Sequence, residues 1–262
     1  MSVKFADLFP IPLGKASYPA EWFLEDRDGW IEALKELARQ PESNTYNCKT
    51  KIAHLGDTAA GAGVTDMPAF ARLKDWIHEQ CREYLETAFD PEKTITPSPL
   101  IVHSWANVQD GASTHLPHMH SNAELAFNFN LKFDPEVHHS TCYWNPRMQV
   151  GFMYGAGVWH RGWESPSSRW TAQMVEAETA EGDLLIWPGM LQHGYPAAEP
   201  SGVSRITISG NVMQSNYSLN RGGMSIAVAP RENTNYSRIQ VAGELGPEFD
   251  VLKILESGDT NK

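Results

Sequence analysis

The stretch Thr114-His115-Leu116-Pro117-His118-Met119-His120-Ser121-Asn122-Ala123-Glu124 concentrates the chemistry of this chain. Six of its ten histidines lie between His103 and His139, and three of those six fall here. Neutral imidazole is the commonest side-chain ligand for transition metals. Two histidines at i and i+2 of a β-strand point to one face, so His118 and His120 form half of a metal site. A histidine-rich surface loop is the bland alternative, because short motifs also match by chance. The second half comes downstream, in Glu181-Gly182-Asp183-Leu184-Leu185-Ile186-Trp187-Pro188-Gly189-Met190-Leu191-Gln192-His193-Gly194-Tyr195. There a Gly-Asp turn feeds a short buried strand and Pro188 ends it. His193 follows the turn, where the next strand returns a third ligand to the same mouth.

Around these two stretches the hydrophobic period is that of strands, expected over 101–108, 125–133, 171–178, 183–187 and 205–212. Short strands without intervening helices imply a sandwich or jelly roll, so the fold class is mainly β with N-terminal helices. Along 205–209, alternation puts Arg205, Thr207 and Ser209 on one face. An inward arginine needs an anion, and its planar guanidinium suits a carboxylate bidentately. An internal Asp or Glu partner is the structural alternative.

Upstream, residues 8–13 carry Pro10 and Pro12 and read as an extended segment or an edge strand opening the sheet. Apolar residues at helical spacing predict a helix over 21–40, ending before Pro41. After a Gly/Ala-rich loop at 56–64, Asp66 is expected to cap a second helix with Pro68 in its first turn, running to about residue 90. Residues 134–170, with Trp144, Trp159, Trp163 and Trp170, form a long insertion of the kind that serves as a lid or binding loop. One domain is expected over 1–220, its helical part at about 1–97, followed by a polar tail at 221–262 that wraps the domain, meets a partner subunit in a homodimer, or stays mobile.

The net charge of −11 argues against nucleic-acid binding, which needs Lys and Arg to neutralise phosphates. Three separated cysteines suggest neither a disulfide framework nor a zinc ribbon, and fit a reducing cytoplasm. Neither a signal peptide nor an apolar stretch long enough to span a bilayer is visible, which points to a soluble cytoplasmic protein with no membrane partner.

Leu8-Phe9-Pro10-x-Pro12, Ser104-Trp105-x-Asn107-Val108, His115-x-Pro117-His118-x-His120-x-Asn122-Ala123, Asn145-Pro146-Arg147, Gly182-Asp183-Leu184-Leu185-x-x-Pro188, His193-Gly194 and Arg205-Ile206-x-Ile208-Ser209 occur in an order that resembles the 2-oxoglutarate/Fe(II) oxygenases related to prolyl hydroxylases. The resemblance spans roughly residues 8–213. It implies a double-stranded β-helix, the cupin-like jelly roll, acting as a dioxygenase. By resemblance, His118, His120 and His193 are the catalytic metal ligands for Fe(II), with His120 standing where relatives more often carry the aspartate of H-x-D. Arg205, with Thr207 or Ser209, then holds the distal carboxylate of the cosubstrate 2-oxoglutarate, and His115 lies near it. The implied chemistry is O2 activation coupled to decarboxylation of 2-oxoglutarate to succinate and CO2, with hydroxylation of a small, amino-acid-like molecule as the default outcome.

A neutral imidazole in place of a carboxylate leaves the site one unit more positive and a weaker donor set, unless neighbouring side chains fix the rings. Asn107, Asn128 and Asn130 are candidates for that role if Phe127 and Phe129 pack between the sheets. Trp144, Asn145 and Arg147 are expected at the substrate wall, alongside Asn128 and Asn130. Two rival readings use the same residues. A cupin-type dioxygenase or isomerase without 2-oxoglutarate would take Glu124 as a ligand, since 118, 120 and 124 share a face of a regular strand. A non-catalytic metal- or ligand-binding barrel would need no turnover at all.

Overall fold

The computed structural model describes residues 10–40, 44–47, 50–56, 63–89, 97–109, 113–146, 174–196, 203–214, 216–218, 225–227 and 251–256. Its strands are β1 (Gly14–Ser17), β2 (Asn44–Asn47), β3 (Ile52–Leu55), β4 (Pro99–Gln109), β5 (His115–His118), β6 (Leu125–Lys132), β7 (Cys142–Trp144), β8 (Met174–Glu176), β9 (Asp183–Pro188), β10 (His193–Tyr195), β11 (Arg205–Gln214), β12 (Asn216–Ser218) and β13 (Ser225–Ala227). A seven-stranded antiparallel sheet runs β1-β9-β6-β11-β4-β3-β2, and a four-stranded sheet runs β5-β10-β7-β8. These two sheets make the jelly roll expected from the strand pattern.

Helices α1 (Ala20–Ala38) and α2 (Ala71–Phe89) cover the large sheet. Their apolar stripes bury Trp30, Leu34 and Leu37 from the first and Leu73, Ile77, Cys81 and Leu85 from the second. Trp30 stacks on Phe70, with ring centroids 5.9 Å apart, meets Phe129 edge-on at 5.8 Å, and donates its indole N–H to Ala69 O at 2.9 Å. Such aromatic pairs add to area burial. Phe127 and Phe129 therefore belong to the core between sheet and helices, not to the space between the sheets. A short helix α3 (Val251–Glu256) returns to pack on α1 and β4, and Leu255 is buried in that same core.

Strand parity divides the large sheet cleanly. Ile206, Ile208 and Val212 of β11, Leu125, Phe127, Phe129 and Leu131 of β6, and Ala106 and Val108 of β4 face the helices. The alternate residues face the smaller sheet, in register across three strands: Gln109 opposite Arg205, Asn107 opposite Thr207 and Asn130, Trp105 opposite Ser209 and Asn128. A smaller apolar cluster of Ala126, Tyr143, Leu185, Trp187 and Leu191 closes the space between the sheets at one side.

Three expectations change. Residues 10–13 lie outside any strand and the edge strand begins at Gly14, just past the prolines that lack the needed N–H, while Leu8 and Phe9 lie outside the described residues. Asp66 does not cap α2. Pro68 disfavours the α conformation at Met67, which sits at φ −69°, ψ 140°, so two 3-10 turns, Val64–Asp66 and Pro68–Phe70, precede the helix. Asp66 instead accepts the Gly63 N–H at 2.9 Å. Within the expected insertion, Cys142–Trp144 is a strand paired with β10 and β8, and residues 147–173, including Arg147, Trp159, Trp163 and Trp170, lie outside the described set.

The Gly182-Asp183 turn leads into β9, and Asp183 ties that strand to its neighbour β1. Asp183 accepts hydrogen bonds from Ser17 Oγ at 2.6 Å and Ala180 N–H at 2.8 Å and faces Lys15 Nζ at 3.0 Å. Burial alone would raise its pKa, but these donors outweigh burial and hold it below the ordinary 3.8. With the folded value depressed, the stabilisation is complete well above pH 4 and fades as pH falls through the folded value. Asp183→Asn should cost about 1–3 kcal/mol at neutral pH. Urea denaturation should show a smaller gap from the unaltered protein at pH 3 than at pH 7.

Candidate metal centre

His118 is the last residue of β5, and His193, the first residue of β10, is its register partner. His120 lies beyond β5, at the start of the turn leading to β6, so His118 and His120 do not share one strand face as the i, i+2 spacing suggested. A turn brings them together instead. His120 N–H bonds Gly189 O at 2.8 Å, and Ala123 N–H bonds His120 O at 3.1 Å. Gly189 permits this approach, since a Cβ there would sit 2.3 Å from Ala123 O and 2.8 Å from His120 O. At Gly194, a Cβ would meet His115 O at 2.4 Å, so β10 and β5 also need glycine where they close on each other.

One ring nitrogen from each of His118, His120 and His193 lies within 4.8 Å of the others, and these are the only such trio among the described residues. Their tautomers follow from their partners. His118 Nδ1 lies 2.8 Å from Leu116 O, and a carbonyl only accepts, so Nδ1 carries the hydrogen and Nε2 is bare. His120 Nδ1 lies 2.6 Å from Asn211 Oδ1, with the same result. His193 Nδ1 lies 2.9 Å from Leu191 O, while the Trp187 indole N–H, also only a donor, points at that nitrogen from 3.2 Å. These two contacts exclude each other, and the shorter assigns the hydrogen to His193 Nδ1. His120 Nε2 and His193 Nε2 then face each other at 3.1 Å with a lone pair each. Two acceptors so placed repel unless a cation sits between them, which is what a trio of metal ligands requires.

All three are held neutral. Burial, reinforced by His118 and His120, pushes His193 down to about 2. Burial, then His118, brings His120 down to about 4, and burial lowers His118. His115, its ring 4.3 Å from that of His118, is driven well below its ordinary value by burial and its neighbours.

Deeper in, Arg205 is 1% exposed, and none of its three guanidinium nitrogens has a hydrogen-bond partner among the described residues. It rests on Tyr195 at 4.1 Å and Phe133 at 5.4 Å. Ring faces attract a cation but leave its N–H groups unsatisfied, and among the described residues no Asp or Glu plays the partner considered for it. Asn107 is the hub between Arg205 and the histidines. Its Nδ2 donates to Thr207 Oγ1 at 3.1 Å and Ser209 Oγ at 3.0 Å, and its Oδ1 receives Trp105 Nε1 at 3.0 Å and His54 Nδ1 at 2.7 Å. Asn128 donates to Ser209 Oγ at 3.0 Å and lines the cavity. Asn130 instead ties β6 to Thr179 Oγ1 and Ala180 O.

A cavity of about 20 Å³ lies among the three histidines, Asn107, Ser209 and Tyr195, and a second of about 300 Å³ adjoins it. Neither Trp144 nor Asn145 lines these cavities. Glu124 lies outside the histidine trio: residues between His120 and Leu125 form a turn, which breaks the parity argument, and its Oε2 accepts Gln214 N–H at 2.8 Å. Sequence reasoning missed Asn211, Tyr195 and His54. Asn211 was reachable by extending the alternation of Arg205, Thr207 and Ser209 by one step. Replacing Gly189 with Ala should lower divalent-metal affinity at least about tenfold, because His120 must shift by the overlap at Ala123 O; an anaerobic Co(II) titration measures it.

Residues 103–211 match a protein family described as "Putative 2OG-Fe(II) oxygenase". That segment holds the three histidines, Arg205 and Asn211. No curated protein matches the chain. Among solved structures, the chain is similar to SnoN, described as a non-heme alpha ketoglutarate dependent epimerase from nogalamycin biosynthesis, at 14% identity and TM-score 0.51, over 79% of this chain and 80% of that one. It also matches HygX from Streptomyces hygroscopicus with nickel and 2-oxoglutarate bound, at 11% identity and TM-score 0.44, over 77% and 82%. A prolyl hydroxylase from Trichoplax adhaerens matches at 8% identity and TM-score 0.47, over 77% and 82%. At such identities SnoN speaks for the fold alone.

Proposed function

We propose that the chain is a 2OG-Fe(II) oxygenase, as the family match over residues 103–211 supports, in which His118, His120 and His193 hold Fe(II) through their Nε2 atoms, Arg205 receives the distal carboxylate of 2-oxoglutarate, and a small molecule is hydroxylated. Bound together, Fe(II) and 2-oxoglutarate supply O2 activation, with succinate and CO2 as coproducts.

The chain's own residues divide the remaining work. Leu116 O, Asn211 and Leu191 O hold the Nδ1 hydrogens, which aims the three bare Nε2 atoms at one point. Asn107, Thr207 and Ser209 keep the wall between that point and Arg205 hydrogen-bonded, and Ser209 opens onto the inner cavity. Tyr195 covers the guanidinium with its ring and ties its hydroxyl to Gln109. The Tyr195 ring stands on the path from the inner cavity, which it lines, to the guanidinium it covers. His115, pressed against His118 and Tyr195, borders the same path.

The observation that carries this reading is the buried, unpartnered guanidinium of Arg205. A dry cation is costly, and a site for a bound carboxylate explains its retention. A cupin-type enzyme or an inert metal barrel leaves that cation without a purpose.

Anaerobic addition of Fe(II) and 2-oxoglutarate should give the visible charge-transfer band of the chelate, and admitting O2 should release succinate. Iron binding with neither band nor succinate would overturn the assignment. Arg205→Ala should raise the 2-oxoglutarate concentration needed for half-maximal band intensity by about 100-fold while sparing iron affinity, the scale of losing a charge-assisted bidentate pair. Glu124→Gln should bind iron like the unaltered protein, whereas the cupin reading requires it to lose the metal.

A further inference from the structure

The cavity of about 300 Å³ has a wall built from two sources. Trp105, His115, His118 and His120 border both it and the inner cavity, so any molecule within it lies against two of the three histidines of the metal centre. The rest of its described wall is His54, His103, Met119, Ser121 and Asn122. His54 comes from β3, outside the segment that carries the family match, and shares the Asn107 Oδ1 acceptor with the Trp105 indole N–H. Those bonds fix the indole, which lies parallel to the His120 ring within 12° at a centroid separation of 5.8 Å. The partly exposed indole and the His103 ring, 5.0 Å from it, together give the chamber an aromatic wall beside the metal centre. None of the described lining residues is Asp, Glu, Lys or Arg, in a chain whose net charge is −11.

We propose that this chamber is the substrate site and that it selects an uncharged small molecule with a flat ring, laid against Trp105 and bounded by His54. The proposal rests on the oxygenase reading above. Its charge argument follows from the ligand set. Three neutral imidazoles add nothing to the charge of Fe(II), and the 2-oxoglutarate dianion cancels it, so the floor of the chamber is neutral. A buried ammonium or carboxylate would find no counter-charge in the floor or in the described wall, and burying an unpaired charge is costly. The volume lies at the small end of ligand pockets, which suits a single substituted ring. This relocates the substrate from the Trp144–Asn145 side, expected from sequence, to the β3–β4 side and the turn after β5.

Three probes of one shape separate the possibilities: benzyl alcohol, benzoate and benzylamine, added anaerobically to protein loaded with Fe(II) and saturating 2-oxoglutarate. Benzyl alcohol should shift the chelate band and bind, by calorimetry, at least about tenfold tighter than either charged probe. Ser121→Trp, at an exposed turn position, should weaken benzyl alcohol by about tenfold or more and leave the 2-oxoglutarate half-saturation unchanged. If that variant fails to fold, Asn122→Trp offers the same comparison from the next lining position of that turn. The proposal falls if a charged probe binds as well as the alcohol, if none of the three binds, if the folded variant binds the alcohol unchanged, or if the alcohol competes with 2-oxoglutarate. Absence of the chelate band in the unaltered protein would instead remove the oxygenase reading itself.

Discussion

His120 Nε2 and His193 Nε2 face each other across 3.1 Å with their ring hydrogens committed elsewhere, and much of the molecule serves to keep them there. Lone pairs so close repel, so the arrangement persists only because packing holds both rings. Trp187 and Tyr143 pack around His193, Trp105 lies parallel to His120, and Asn211, 0% exposed, receives the hydrogen of His120. A divalent cation converts the repulsion into coordination.

β11 is the structural spine of this arrangement. Its helix-facing residues Ile206, Ile208 and Val212 anchor it in the main core, between β4 and β6 in the sheet order. Its other face carries Arg205, Thr207, Ser209 and Asn211 in one stripe, from the unpartnered guanidinium to the partner of His120. Two charges of the implied chemistry, the metal and the distal carboxylate, are thus registered by one strand. Spacing along a β-strand is rigid, which suits a task that depends on fixed separations.

Much of the site was legible because the relevant signals are local. The Gly182-Asp183 turn, Pro188 and His193 follow from turn chemistry, and Arg205 with its alternate residues follows from strand parity. His118 and His120 were found through a strand argument that does not hold at His120, where a turn held by Gly189 does the positioning. Glu124 was left open by that same argument, and the turn sets it apart from the trio. Asn130 looked equivalent to Asn128 by parity, yet the loop at Thr179 and Ala180 claims its amide. Short strands such as β3 and β7 were missed because three or four residues carry too little periodicity to announce themselves.

The residues by themselves determined a mainly β barrel with helices on one side, a histidine trio and an inward arginine, since alternation, turn residues and imidazole chemistry act within a few positions. Tertiary structure alone decided which nitrogens face one another, that Arg205 has no hydrogen-bond partner among the described residues, and that His54 stands beside a chamber built around residues far along the chain. Those facts depend on register between strands distant in sequence. No local pattern encodes how the edge of one sheet meets the face of another.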